Sequence, residues 1–122
     1  MQVCTSQLKP FNPILGETLQ SKMPDGSNVY CEHISHHPPI TAYTLEDVDK
    51  EYTFWGSAEF TANLAANSMK AGQDGNNFLK FSDGQLIRII PCHYTLGGTV
   101  MGDRTINADG FFYMDDLESN LR

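Results

Sequence analysis

The hydrophobic and polar positions of this chain alternate as they do in short β-strands. In residues 52–57 (YTFWGS), the even-numbered positions fall on one side of an extended chain and the odd-numbered positions on the other. Stretches rich in β-branched and aromatic residues recur along the sequence, and each predicts a strand. They are NVYCEHIS (28–35), PITAYTL (39–45), EYTFWGSAEFTANL (51–64), NFLKF (77–81), QLIRIIPC (85–92), TVMG (99–102) and GFFYM (110–114).

Turn-forming residues separate these stretches at short intervals. The turn sequences are PDGS (24–27), DVDK (47–50), GQDGNN (72–77), SDGQ (82–85), GG (97–98) and DG (109–110). Helical patterning is weak, and only ANLAANSMKAG (62–72) is expected to form a helical turn or two. The spacing predicts an all-β fold, an antiparallel meander that curls into a sandwich or barrel. Adjacent strands around 28–35 and 40–45 should be joined near Pro38 and Pro39.

The predicted strand pattern begins almost at residue 1, and the final stretch DDLESNLR contains nothing that would close a sheet. An open sheet leaves edge strands whose backbone groups are unpaired. We therefore expect the chain to be a fragment, or a truncated member, of something larger.

The composition and net charge of the chain limit the partners that it can bind. The chain has 122 residues, of which 40% are hydrophobic and 19% charged, and its net charge is −7. Nucleic acid is therefore an unsuitable partner, because binding to phosphate backbones needs a basic face. Cys4, Cys31 and Cys92 are too few for a disulfide framework. We see no apolar run long enough for a membrane span or a signal peptide, so we expect a cytoplasmic protein.

The segment CEHISHHPPITAY (31–43) contains three of the four histidines of the chain. His37 precedes a proline and is therefore held extended, while Pro38 fixes its own φ. Two stiffened imidazoles side by side, His36 and His37, would suit an anion such as a phosphate, whose charge favours the protonated ring. A half-exposed structural pair at the end of a strand is the alternative.

A metal site is a second alternative for the same residues. Cys31 and His33 point to one side of the predicted strand. His36 or His37 would reach round to them, with Cys92 and His93 as distant partners. The sequence has no Cys-x-x-Cys or His-Glu-x-x-His spacing. No nucleophile motif surrounds Ser35, so no catalytic triad is predicted.

The segment KPFNPILGET (9–18) is stiffened by two prolines, and its glycine permits a turn. We expect Phe11, Ile14 and Leu15 to anchor it in a core. Lys9 and Asn12 would then be polar groups held on a rigid frame. A proline-rich turn with a surface lysine is the simpler alternative.

Together these two segments resemble the lipid-binding domain of the oxysterol-binding protein family. The signature of that family reads Glu-Gln-Val-Ser-His-His-Pro-Pro, and residues 32–39 differ from it only by His33 and Ile34. The upstream KPFNPILGET is also characteristic of the family. The resemblance is specific over residues 9–45, and FWGSAEF, FSDGQLIRIIP and TVMGD look like successive strands of the family barrel.

The resemblance implies an incomplete, nearly closed antiparallel β-barrel around a lipid tunnel. It implies a non-enzymatic protein without cofactor that binds lipid and transfers it between membranes, which it contacts transiently, for example at membrane contact sites. Sterol or another lipid would be exchanged for phosphatidylinositol 4-phosphate. In that scheme His36 and His37 contact the headgroup phosphates, and Lys9 and Asn12 bind the same headgroup at the mouth of the tunnel.

The chain also departs from the family pattern, because neither the lid nor the C-terminal part of the domain is recognisable. Residues 1–122 are therefore expected to be a partial lipid-binding domain. Two alternatives stay open: a histidine- and cysteine-dependent metal-binding protein or metal enzyme, and a truncated product without binding activity.

Overall fold

The computed structural model describes residues 11–118, and in this range it contains ten β-strands and no α-helix. The strands are β1 (Thr18–Lys22), β2 (Asn28–His36), β3 (Pro39–Glu46), β4 (Tyr52–Leu64), β5 (Ser68–Asp74), β6 (Asn77–Phe81), β7 (Leu86–Ile90), β8 (His93–Gly97), β9 (Thr105–Asp109) and β10 (Tyr113–Asp116). The prediction of an all-β fold is confirmed. None of the described residues belongs to a helix long and apolar enough to span a membrane.

All strands belong to one antiparallel sheet that divides at β4. Strands β1 to β4 form a meander in chain order. The first half of β4 pairs with β6 and the second half with β5, so that one branch continues as β5-β8-β9 and the other as β6-β7-β10. Within the described residues β1, β9 and β10 are each paired on one side only. The sheet is therefore open, as a partial barrel would be.

A small polar cluster lies where β4 divides. Gly56 has no side chain there, and a Cβ on it would come within 2.6 Å of the side-chain oxygen of Asn77. Asn77 is buried and accepts a hydrogen bond from the Tyr43 hydroxyl, which in turn accepts one from Gln73 Nε2 at 3.2 Å. Because buried polar groups must be paired, these contacts hold β3, β5 and β6 together at the branch point.

The buried core is small. Ala58 is the one hydrophobic residue among the described ones that is fully buried, and the other buried residues are Ser27, His33 and Asn77. Aromatic packing adds a stacked pair, Trp55 and Phe78, with ring centroids 5.6 Å apart. Most large apolar side chains of the sheet thus remain partly open to solvent.

The expected helical turn at residues 62–72 is wrong. Strand β4 continues to Leu64, and β5 begins at Ser68. Leu64 pairs with Met69 across the hairpin, and the Ala65 amide donates to the Ser68 carbonyl at 2.8 Å. Cross-strand pairing outweighs a helix propensity that is too short to nucleate a stable helix.

The expected strand at TVMG (99–102) is also wrong, since these residues form the loop between β8 and β9. The side chain of Asn67 holds the loop: its oxygen accepts from the amides of Val100 and Met101, each at 2.9 Å, and its nitrogen donates to the Met101 carbonyl at 2.8 Å. These contacts occupy the backbone groups that a strand would use. In addition, the alternation of hydrophobic and polar residues in the sequence did not predict strands β1, β5, β8 and β9.

Candidate functional site

The histidine hairpin, residues 33–39, is built from the end of β2 and the start of β3. Strand β2 ends at His36 and β3 begins at Pro39, so that His37 and Pro38 form a two-residue turn with a cis bond between them. The predicted junction of the two strands near Pro38 and Pro39 is confirmed. His36 and His37 are both exposed, and their rings lie edge to face with centroids 4.8 Å apart.

A bulge in β2 determines which histidines face each other. His33 pairs with Thr41 and Ser35 with Ile40, so one extra residue, Ile34, stands in β2 between them. In a regular strand, residues three apart point to opposite faces. The extra residue reverses the alternation, and the rings of His33 and His36 therefore share one face.

His33 is the buried member of the histidine hairpin. Its side chain is 4% exposed, and its Nε2 atom lies 3.2 Å from His36 Nδ1. On the other side of the ring, Nδ1 lies 3.5 Å from the Thr41 hydroxyl. The rings of His33, His36 and His37 thus form a row that runs from the interior to the surface.

The loop that contains the proline-rich segment is hydrogen-bonded to the histidine hairpin. The Gly16 amide donates to the His33 carbonyl at 2.8 Å, and the His33 amide donates to the Glu17 carbonyl at 2.9 Å. The Glu17 carboxylate accepts from the Ile14 amide at 2.9 Å and closes the turn before it. The two segments singled out in the sequence are therefore neighbours in space.

Two of the four predicted headgroup residues lie on the histidine hairpin and a third on this loop. His36 and His37 are adjacent and exposed, and Asn12 is exposed in the loop. Lys9 lies outside the described residues. The expectation that the apolar residues of the loop anchor it in a core is wrong: Phe11 is fully exposed, and Ile14 and Leu15 are 72% and 64% exposed. Backbone hydrogen bonds, and not apolar packing, attach the loop.

This arrangement can donate hydrogen bonds to an anion, because each exposed imidazole presents an N–H group and becomes a cation when protonated. The same arrangement is less suited to binding a metal ion. No three His, Cys, Asp or Glu side chains in the described part of the chain are grouped so as to hold an ion together. His36 Nδ1 lies against another imidazole, His33, whereas in a triad this nitrogen would donate to a carboxylate.

An open groove of about 420 Å³ crosses the middle of β1 to β4, and residues such as Leu19, Cys31, Tyr43 and Trp55 line it. Partial burial raises the pKa of the Cys31 thiol and of the Tyr43 phenol, so both groups stay neutral at physiological pH. The groove depends on the register across four strands, which the sequence alone does not reveal. Leu19, Cys31 and Tyr43 are paired in register across β1, β2 and β3, which places their three side chains on one face.

Comparison with known protein sequences identifies a matching family. The family model described as oxysterol-binding protein matches residues 2–120. Oxysterol-binding protein 9 of Dictyostelium discoideum is 34% identical over 121 residues, which cover 99% of this chain and 28% of that protein.

Solved structures agree with the fold. The crystal structure of the Osh3 ORD in complex with PI(4)P from Saccharomyces cerevisiae superposes with a TM-score of 0.80 at 25% identity, covering 89% of this chain and 29% of that one. The Osh1 ORD domain in complex with ergosterol gives a TM-score of 0.78 at 26% identity, over 88% of this chain and 27% of that one. The chain spans less than a third of each relative. Because the family model matches nearly its whole length, the chain belongs to the oxysterol-binding protein family.

Proposed function

We propose that this chain is part of a lipid-binding and lipid-transfer domain that holds the phosphorylated headgroup of phosphatidylinositol 4-phosphate at the histidine hairpin. The observation that carries the proposal is the pair of exposed imidazoles, His36 and His37, at a two-residue turn, backed by the buried ring of His33. The family relationship and the PI(4)P that is bound to the Osh3 ORD support the choice of ligand.

The proposed headgroup site consists of His36 and His37 with Lys9 and Asn12. Hydrogen bonds to a charged group each contribute about 1.5–3 kcal/mol, which is enough for two imidazoles to determine whether a phosphate is held. The net charge of −7 disfavours an anion over most of the surface, so that local donors have to provide the attraction. The loop of residues 11–17, which carries Asn12, is hydrogen-bonded to the hairpin at His33.

The second ligand is a sterol or another lipid, exchanged for the phosphoinositide. The ergosterol in the Osh1 ORD domain supports a sterol, and the groove across β1 to β4 offers it apolar side chains such as Leu19 and Trp55. In this proposal residues 1–122 form one part of the domain, consistent with the share of its relatives that the chain spans.

The protein acts without catalysis. It works in the cytoplasm and contacts membranes transiently when it takes up or releases lipid. Exposed apolar side chains on the loop, Phe11, Ile14 and Leu15, lie next to the proposed headgroup site and suit such a contact.

Lipid extraction from vesicles tests the proposal. Wild type should extract phosphatidylinositol 4-phosphate and a sterol, while the His36→Ala/His37→Ala variant should lose at least tenfold of its phosphoinositide extraction and keep its sterol extraction. His93→Ala is the matched control, because His93 lies on β8, four strands from β2 in the sheet order, and contacts Asp74 at 2.8 Å.

Two results would contradict the proposal. If the double variant extracts the phosphoinositide as well as wild type, the headgroup is held elsewhere. If wild type melts cooperatively but extracts neither lipid, the chain is a product without binding activity.

A further inference from the structure

We propose that His33 is a positioning residue of the headgroup site: its buried ring hydrogen-bonds to His36 Nδ1 and so keeps His36 Nε2–H directed at the ligand. This inference rests on the proposed function for its ligand, a phosphate monoester on a lipid headgroup. The contact between the two rings can be tested without any lipid.

The position of His33 is constrained on every side. Its carbonyl accepts from the Gly16 amide and its own amide donates to the Glu17 carbonyl, while β3 pairs with it through Thr41. Only 4% of the residue is exposed. A side chain held this firmly can orient an exposed neighbour such as His36.

Two imidazole nitrogens at 3.2 Å can share only one hydrogen, because one nitrogen must donate and the other accept. The Thr41 hydroxyl, 3.5 Å from His33 Nδ1, can donate or accept. When Thr41 donates to Nδ1, the His33 hydrogen is on Nε2 and is donated to His36 Nδ1. Neutral His36 then carries its own hydrogen on Nε2, at the far side of its exposed ring, where a phosphate oxygen can accept it.

The same chain of groups also serves a protonated His36. An imidazolium donates from both nitrogens, so His36 Nδ1–H would donate to His33 Nε2, and His33 Nδ1–H would donate to the Thr41 oxygen. His36 Nε2–H remains available in both states. Without a partner at position 33, neutral His36 would also populate the other tautomer, whose Nε2 presents a lone pair to the phosphate.

The bulge at Ile34 is what makes the contact possible, since without it the two rings would point to opposite faces of β2. The family signature has glutamine where this chain has His33. A glutamine amide can also donate or accept, whereas leucine fills similar space and does neither. Glutamine and leucine substitutions therefore separate hydrogen bonding from packing.

The experiment measures the tautomer of His36 in the intact chain without ligand, by nitrogen-15 NMR of the imidazoles at pH 8. In wild type and in His33→Gln, we expect neutral His36 to carry its hydrogen on Nε2. In His33→Leu we expect a mixture of tautomers. His93→Leu makes the same change on β8 and should leave His36 as in wild type.

Affinity for short-chain, water-soluble phosphatidylinositol 4-phosphate is the second readout. His33→Leu should bind about tenfold more weakly, which corresponds to ~1.4 kcal/mol, while His33→Gln should bind within about twofold of wild type. Circular dichroism confirms that the variants fold.

Two results would overturn the inference. The first is that neutral His36 of the wild-type protein carries its hydrogen on Nδ1, a result that does not depend on whether His33→Leu folds. The second is that His33→Leu folds and has the same His36 tautomer and the same affinity as wild type. If wild type does not bind the soluble lipid, the proposed function is contradicted. The tautomer measurement needs no lipid, so it still tests the contact between His33 and His36 in that case.

Discussion

At the scale of residues, the proposed headgroup site depends on one extra residue in β2. The bulge at Ile34 brings the rings of His33 and His36 to one face, and the proline-containing turn keeps His37 beside them. Short polar contacts of the same kind hold the turn between β1 and β2. There the Asp25 carboxylate accepts from the Ser27 amide at 2.9 Å.

Asp25, in this turn, makes the stability of the protein depend on pH. Hydrogen bonding from the Ser27 backbone lowers the pKa of Asp25 below its ordinary 3.8. A group whose pKa is lower in the folded state stabilises the protein above its unfolded pKa, and this stabilisation is lost as the pH falls through the folded value. Asp25→Asn keeps the acceptor oxygen but cannot titrate. We expect the loss of stability on going from about pH 5 to pH 3 to be smaller in Asp25→Asn than in wild type, measured by urea unfolding.

Asp25→Ala provides the comparison for that experiment, since it removes both the charge and the acceptor. It should be less stable than Asp25→Asn at acidic pH. Identical pH profiles for wild type and Asp25→Asn would show that the contact with Ser27 is not formed in solution.

The candidate site was predictable to the extent that it depends on local sequence. Proline restricts the residue before it, so the exposed pair His36 and His37 could be identified without a structure. The contact between His33 and His36 could not be predicted, because a sequence does not show where a strand contains a bulge. The exposure of Phe11 was likewise missed, since backbone hydrogen bonds hold its loop where apolar packing was expected.

At the scale of elements, strands with strong alternation were predicted and those defined by pairing were not. Residues 39–45 and 51–64 lie in β3 and β4, with boundaries within one residue of the prediction. Strands β5 and β8 contain glycine and lysine or histidine and few apolar residues, and they are strands because each pairs with the other and β5 also with β4. The reverse case is TVMG, whose composition favours a strand but whose backbone is held by Asn67.

Asn67 is therefore expected to stabilise this loop. Asn67→Ala removes three hydrogen bonds to the loop between β8 and β9, and because the loop is exposed and its amides can bind water, we expect a loss of only about 1 kcal/mol in the free energy of unfolding. Asn67→Asp retains an acceptor for Val100 and Met101 and should cost less. Urea denaturation measures both. Equal stability of all three proteins would mean that the side chain does not hold the loop.

At the scale of the whole molecule, the described chain is an open sheet that exposes much apolar surface. Large apolar side chains are exposed at both its proline-rich loop and its later strands, for example Phe11, Leu64 and Phe111 at 101%, 83% and 75%. Since the chain spans less than a third of its relatives, the rest of such a domain is one source of cover for this surface. Under the proposed function, bound lipid and the membrane would also cover part of this apolar surface.

Membrane contact and headgroup binding should depend on different side chains. Phe11→Ser/Ile14→Ser removes exposed apolar side chains next to the proposed headgroup site, so it should lower binding to vesicles severalfold and leave affinity for soluble phosphatidylinositol 4-phosphate unchanged. Stability should change by less than about 0.5 kcal/mol per substitution. Leu64→Ser is the control, because Leu64 is as exposed but lies at the turn between β4 and β5. Unchanged vesicle sedimentation of the double variant would place the membrane contact elsewhere.

A crystal structure of this chain with short-chain phosphatidylinositol 4-phosphate tests directly whether His36 and His37 hold the headgroup. We expect phosphate oxygens at roughly 2.7–3.2 Å from the Nε2 atom of His36 and from a ring nitrogen of His37. A headgroup bound at other basic residues, for example Lys70 or Arg88, with both imidazoles free of it, would show that the histidine hairpin is not the headgroup site.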